Sequence, residues 1–252
     1  MATPPQVDYV LRLADACLVH GQRLAEWCGH APVLEEDIAL ANIALDHIGQ
    51  ARALLALAGA LEGRGRDEDA LAFQRAEREY RNVTMIELPN GDFARTVLRG
   101  FLWASFMKVG CAALAGSSSE PQLAAIAAKS LKEVRYHQRH LGDWVVRLGD
   151  GTDESHRRAA DALALLWPYA AEWFEDDDID RAATATGLGP AWSSLKPAWL
   201  AEVEPVLAEA TLVRAAETPF RSTGKQGRHS EHMGYLLAEM QALPRAFPGA
   251  VW

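Results

Sequence analysis

The chain has 252 residues, 49% of them hydrophobic and 23% charged, the make-up of a globular protein with one sizeable core. Its formal net charge of -9 excludes a nucleic-acid surface, because phosphate binding needs a surplus of Lys and Arg. No stretch approaches the roughly 20 uninterrupted apolar residues of a membrane span, and the N-terminal MATPPQVDYV lacks a leader's basic and apolar regions, so a cytoplasmic location is expected. Cys17, Cys28 and Cys111 sit in helical apolar patterns without CxxC spacing, which suits buried, reduced thiols.

In chain order, the first helix is expected over about 8–28, where Val10, Ala14, Cys17, Gly21, Leu24 and Cys28 recur at steps of four and three before Pro32 ends it. The second, about 34–61, carries two apolar stripes: Leu40, Ala44, His47, Ala51, Leu54, Ala58 and Leu61, and Ile38, Ala41, Leu45 and Ile48. A helix apolar on two faces is expected to be buried on both. A third helix is read over 67–88, ending at the turn Pro89-Asn90-Gly91. The fourth, 93–115, repeats the register with Phe93, Val97, Gly100, Ala104, Met107, Cys111 and Leu114. The fifth, 122–148, carries Leu123, Ala127, Ser130, Val134, His137, Leu141, Trp144 and Leu148. Shorter helices follow over about 154–174, 195–214 with Pro205 as a kink, and 230–246. The expected architecture is therefore all-α, one ferritin-like antiparallel bundle over 1–252 with its core in the helices 8–28, 34–61, 93–115 and 122–148.

Such bundles often house paired iron or manganese, with one Glu from each of two helices and Glu-x-x-His from each of two others. Here the first helix offers Glu26, with Asp15 a second acid. On the second, Asp46 is followed three residues on by Gly49, and His47 points elsewhere. No Asp or Glu stands between Asp92 and Glu120, so one carboxylate position is empty. On the fifth helix His137 falls four rather than three residues after Glu133. Glu26, Asp46, Glu133 and His137 thus read as a degenerate site holding no metal, forming with Asn42 a buried polar cluster. His229, Glu231 and His232 read as a solvated helix start. No GxSxG, HExxH, P-loop or Gly-rich dinucleotide turn is present.

The segments LRLADACLVHGQRLAEWCGHAPVLEEDIALANIALDHIGQAR, DEDALAFQRAEREYRN, ELPNGDFA, PQLAAIAAKSLKEVRYHQRHLGDWVVRLGDGTDES and TGKQGRHSEHMGYLLAEMQALPRAFPGAVW resemble the C-subunit family of bacterial phenylacetyl-CoA epoxidases from Asp8 to Trp252. The resemblance implies a ferritin-like fold and membership of a multicomponent oxygenase. In that complex a homologous A subunit holds the di-iron site and epoxidises the ring of phenylacetyl-CoA with O2, and a reductase delivers electrons from NADPH. The C subunit is the non-catalytic structural partner of the A subunit and carries no cofactor. A di-iron oxidase or iron-storage protein with an altered site, and a stand-alone binding bundle, are the alternatives.

Contact with acyl-CoA would call for basic side chains or helix N-termini. Arg75, Arg78 and Arg81, spaced every three residues around Glu79, Tyr80 and Asn82, form one candidate. Glu77 and Glu79 make a solvated, ion-paired face the competing reading. Arg181, Ala182 and Ala183, in a short helix starting near Ile179, form a second, and the loop with Arg221, Lys225 and Arg228 a third. Of the eight tryptophans, Trp27, Trp103, Trp144, Trp167, Trp173, Trp192, Trp199 and Trp252, most are expected in the core and some at a partner interface.

Overall fold

A computed structural model describes residues 4–216 and 218–250; Trp252 lies outside them. The helices are α1 (Pro5–Ala25), α2 (Leu34–Glu62), α3 (Glu68–Phe73), α4 (Thr84–Glu87), α5 (Phe93–Ser117), α6 (Pro121–Gly149), α7 (Asp153–Leu166), α8 (Asp178–Ala185), α9 (Lys196–Glu209), α10 (Glu231–Met240) and α11 (Ala242–Ala246), with short 3-10 turns between some of them. The chain is all-α, of the ferritin-like helical-bundle class; among the described residues the only extended pairing is an isolated bridge between Thr223 and Arg228. It divides into two compact units, residues 1–89 with 223–252, and residues 90–222.

The first unit is built on the hairpin α1–α2. Val10, Ala14, Cys17 and Leu24 are buried, as their spacing requires, and Gly21 lets the helices close up. A Cβ there would stand 3.0 Å from Ile48 and 3.2 Å from the Ala44 carbonyl. α1 ends three residues earlier than expected, which leaves Cys28 exposed while Cys17 and Cys111 are buried. On α2 the stripe from Leu40 through His47 to Ala58 is buried, but the second stripe is not: Ile38 and Leu45 are 53% and 65% exposed.

The expected helix over 67–88 breaks into α3, a 3-10 turn at Glu77–Glu79, extended residues 80–83, and the four-residue α4. α3 is capped by the Asp67 carboxylate, which accepts the Ala70 N–H at 2.8 Å. Its continuation is diverted because Arg75 and Tyr80 turn inward to partners distant in sequence. The unit is completed by α10 and α11, returning from the far end of the chain.

The second unit is built on the hairpin α5–α6, with α7 and α9 packed on it. α5 begins at an Asp92 cap on the Arg95 N–H, 3.0 Å. It is long and apolar enough to cross a membrane by length and composition, and 78% of its most apolar window is buried inside the protein. The helix expected over 154–174 is α-helical to Leu166 and 3-10 from Trp167 to Phe174; that over 195–214 is α9, ending at Glu209 with Pro205 inside it. Trp103, Trp173, Trp192 and Trp199 meet around Phe106 and Phe174, with ring centroids 5.1 to 5.9 Å apart in pairs such as Phe174–Trp199 and Trp173–Trp199. The Trp199 indole N–H donates to the Leu102 carbonyl at 3.1 Å, so this large ring is buried with its polar atom satisfied. Trp167 is buried against Trp199, whereas Trp27 and Trp144 are only part-buried.

Candidate functional site

In the first unit the chemistry-bearing residues gather where residues 75–87 meet α1 and the returning C-terminal segment. Asp15 on α1 is fully buried, a position a carboxylate occupies only with partners. Both terminal nitrogens of Arg75 donate to it, Nη1 to Oδ2 at 3.0 Å and Nη2 to Oδ1, and the Arg81 N–H adds a third bond at 2.8 Å. The rest of the guanidinium is used as well, with Nε on the Leu71 carbonyl at 2.5 Å and Nη1 on that of Glu79 at 2.9 Å. Burial works against its charge, but the attraction and hydrogen bonds of Asp15 outweigh burial and raise its pKa. Arg75 lies 4.2 Å from the centroid of the Tyr80 ring.

Tyr80 donates its hydroxyl to the Ala72 carbonyl at 2.5 Å and accepts from Gln241 on α10's C-cap at 2.8 Å; Gln241 also donates to the Arg75 carbonyl at 3.0 Å. Burial pushes the phenol up to about 12, so it is a donor at neutral pH.

A second knot centres on Glu87 in α4. Its Oε2 accepts from Asn82 at 2.8 Å and from His229 Nδ1 at 2.7 Å, and its Oε1 accepts the Ser230 N–H at 2.5 Å. Its backbone carbonyl takes Nε and Nη2 of Arg23 at 3.0 and 2.7 Å. The other ring nitrogen of His229 faces the Tyr80 carbonyl at 3.2 Å. Both nitrogens face oxygen acceptors, an arrangement that favours the doubly protonated ring. Burial opposes that charge, yet the hydrogen bond and attraction of Glu87 raise the pKa above 6.5. His229 is therefore no solvated helix start: both partners of the pair have fully buried side chains. The loop that delivers it makes a close approach at Gly227, whose φ of +78 and contact with the Arg78 carbonyl leave no room for a side chain.

This arrangement places the expected site residues as follows. Arg75, Tyr80 and Asn82 are buried in these two knots. Arg81 is part-buried, with Nη1 on the Arg78 and Tyr80 carbonyls. Arg78 is exposed, and Glu79 is exposed with its carboxylate accepting the Ala76 N–H at 2.7 Å. The three arginines therefore do not share one helix face. Arg221 and Arg228 are exposed but Lys225 is buried, so that loop is not uniformly basic.

In the second unit α8 starts at Asp178, with the Asp177 carboxylate accepting the Ile179 and Asp180 N–H groups at 3.0 and 3.2 Å. Its N-terminus is thus already occupied by an anion of the chain itself. Arg181 is exposed and bound to Asp178 at 2.6 Å; Ala182 is part-buried and Ala183 buried. A groove of 630 Å³ runs along α6, where Lys108, Arg135, Arg139 and Arg147 share the walls with Asp143 and Glu209 over a floor of Phe101 and Gly142.

The degenerate metal positions do not form the buried polar cluster expected of them. Glu26 is exposed and tied to Arg23 at 2.6 Å, Asn42 is exposed, Asp46 and Glu133 are part-buried, and only His137 is fully buried. Among the described residues no three His, Cys, Asp or Glu side chains converge in a way that could hold a metal ion, so these side chains do not fit a di-iron pair.

The key residues missed by sequence reasoning are Glu87 and the roles of Asp15 and His229. Apart from Asn82, which is local to Glu87, the partners named above for these side chains lie 60 to 149 positions away, beyond the reach of any local pattern.

A family described as Phenylacetic acid catabolic protein matches residues 1–252. A curated relative, the C subunit of 1,2-phenylacetyl-CoA epoxidase from Escherichia coli (strain K12), is 49% identical over 244 residues, covering 97% of this chain and 98% of the relative. The all-α architecture, the matched family over the whole chain and this level of identity agree: the chain belongs to the phenylacetic acid catabolic protein family.

Proposed function

We propose that this chain is a non-catalytic structural subunit of a multicomponent oxygenase that epoxidises the ring of phenylacetyl-CoA, pairing in the cytoplasm with a homologous di-iron subunit. The observation that carries the reading is the 49% identity, along nearly the whole chain, to the C subunit of an epoxidase. The polar residues support it. The acids at the bundle positions are exposed or part-buried, α5 supplies none, and the buried pairs Asp15–Arg75 and Glu87–His229 answer one another in internal knots. A carboxylate already forked by an arginine is a brace, and it is not available as a metal ligand.

Contact with the acyl-CoA of the complex is part of the proposal. In the 75–82 segment Arg78 is the exposed arginine with its guanidinium left for a phosphate, because Arg75 is committed to Asp15 and Arg81 to backbone carbonyls. Co-expression with the homologous oxygenase subunit, purification through a tag on one chain and iron analysis of each chain test the reading. The expected result is recovery of both chains, iron confined to the partner, and no epoxide from this chain alone. A full di-iron complement in this chain by itself, with turnover, would overturn it.

A further inference from the structure

The outward face of α2 carries a seam that the first unit leaves uncovered. Leu34, Ile38 and Leu45 are 72%, 53% and 65% exposed, and the flanking Val33 is 48% exposed. With Asn42, Gly49, Arg52 and Ala56, all exposed, the positions 38, 42, 45, 49, 52 and 56 advance by fours and threes. That is the spacing of a helix packed lengthwise against another helix. Gly49 falls in the middle of the seam, and a Cβ there would meet nothing within 4 Å, so the surface has a notch into which a side chain can fit. The opposite face of the same helix is fully used by the core from Leu40 to Ala58, so the seam is not a misplaced core stripe.

Over residues 33–51 the charged side chains beside the seam have one sign. Between residues 33 and 51 there is no Lys or Arg, while Glu35 is exposed and Asp37 and Asp46 are part-buried. The first cation, Arg52, is bound to Glu68 at 3.1 Å. A second copy of this chain would bring the same acidic rim, whereas a different chain with Lys or Arg beside its apolar positions would complement it. From Leu34 to Ala56 the seam is about 33 Å long at 1.5 Å per residue. At a width of about 10 Å it offers roughly 300 Å², less than half of the ~800 Å² that a stable interface takes from each partner, so it forms the apolar centre of a wider contact.

We propose that the outward seam of α2, centred on Ile38 and Leu45, is the surface on which the oxygenase subunit docks, through a partner helix that carries apolar residues at three- and four-residue spacing bordered by basic side chains. This rests on the pairing proposed above and adds its location. The test is co-expression with the tagged oxygenase subunit, comparing the unaltered chain, the double variant Ile38→Glu/Leu45→Glu, the rim variant Glu35→Lys/Asp46→Lys, and Tyr235→Glu, which alters a 72% exposed aromatic on α10.

The expected result is at least about a tenfold drop in recovered chain for the seam variant, since each buried charge is worth about an order of magnitude in affinity. A smaller drop that deepens at low salt is expected for the rim variant, and none for Tyr235→Glu. Unchanged circular dichroism and urea midpoints exclude misfolding, a control needed most for the part-buried Asp46, since Glu35, Ile38, Leu45 and Tyr235 stand in solvent. Recovery of the seam variant at the level of the unaltered chain overturns this surface and leaves the pairing intact. Failure to recover even the unaltered chain overturns the pairing and the surface with it. Self-association of the isolated chain that the seam variant abolishes assigns the seam to a second copy and likewise overturns the proposal.

Discussion

The two units solve one problem in opposite ways. Each must fasten short, irregular segments onto a long helical hairpin. The first does so with buried charge, Asp15 with Arg75 and Glu87 with His229, and the second with stacked and edge-on aromatic rings around Phe106 and Trp199. Aromatic packing tolerates many geometries and is held by area, whereas a forked ion pair accepts few and fails when one partner is missing. The polar unit is therefore the one whose segment positions are most sharply specified.

The largest effects come from breaking that contrast directly. Asp15→Ala leaves Arg75 charged and buried, and should cost about 3–5 kcal/mol in urea unfolding; Trp173→Ala should cost about as much through the cavity it leaves. The units then separate on a second substitution. Asp15→Leu combined with Arg75→Met should recover much of the loss, because the stranded charge is gone, whereas adding Phe106→Ala to Trp173→Ala should deepen it. Equal behaviour of the two pairs would erase the distinction.

Next in size is a pH dependence confined to the polar unit. The pKa of His229 is raised above 6.5 in the folded chain, against burial and by Glu87, so its contribution is fully present below the unfolded value and lost as pH climbs through the folded one. His229→Gln should cost about 1.5–3 kcal/mol in mildly acidic solution. The penalty should shrink steadily as pH is raised, and a penalty equal at all pH values would show that the imidazolium contributes nothing. Smallest is the surface network of Glu154, Arg157 and Arg158 on α7, where Arg157→Ala should leave the unfolding midpoint unmoved, since exposed pairs are screened.

The long helices were legible because their packing is periodic: 34–61 against the observed Leu34–Glu62, and 122–148 against Pro121–Gly149. The expected helix over 67–88 is broken because part of what shapes the segment is Asp15, 60 positions before Arg75 and out of reach of local spacing. His229 misled for the same reason, its acid lying 142 positions away. The second stripe of α2 is apolar as its spacing says, yet it is not buried, since periodicity reports that a face wants covering and is silent on what covers it. That α5 carries no Asp or Glu is readable in the sequence alone, because a residue type absent from a helix cannot be supplied by folding.

The order in which the chain leaves the ribosome gives the discontinuity of the first unit a temporal meaning. Residues 90–222 emerge as one continuous stretch and can consolidate while synthesis is still under way. Residues 1–89 must wait: the imidazole for Glu87 and the amide for Tyr80 are supplied by His229 and Gln241, which are made only after the whole of the second unit. Until then Glu87 and Tyr80 lack those partners, so a truncated or stalled product would lack its finished first unit. The segment that carries His229 and Gln241 thus acts as a completion check on residues 1–89.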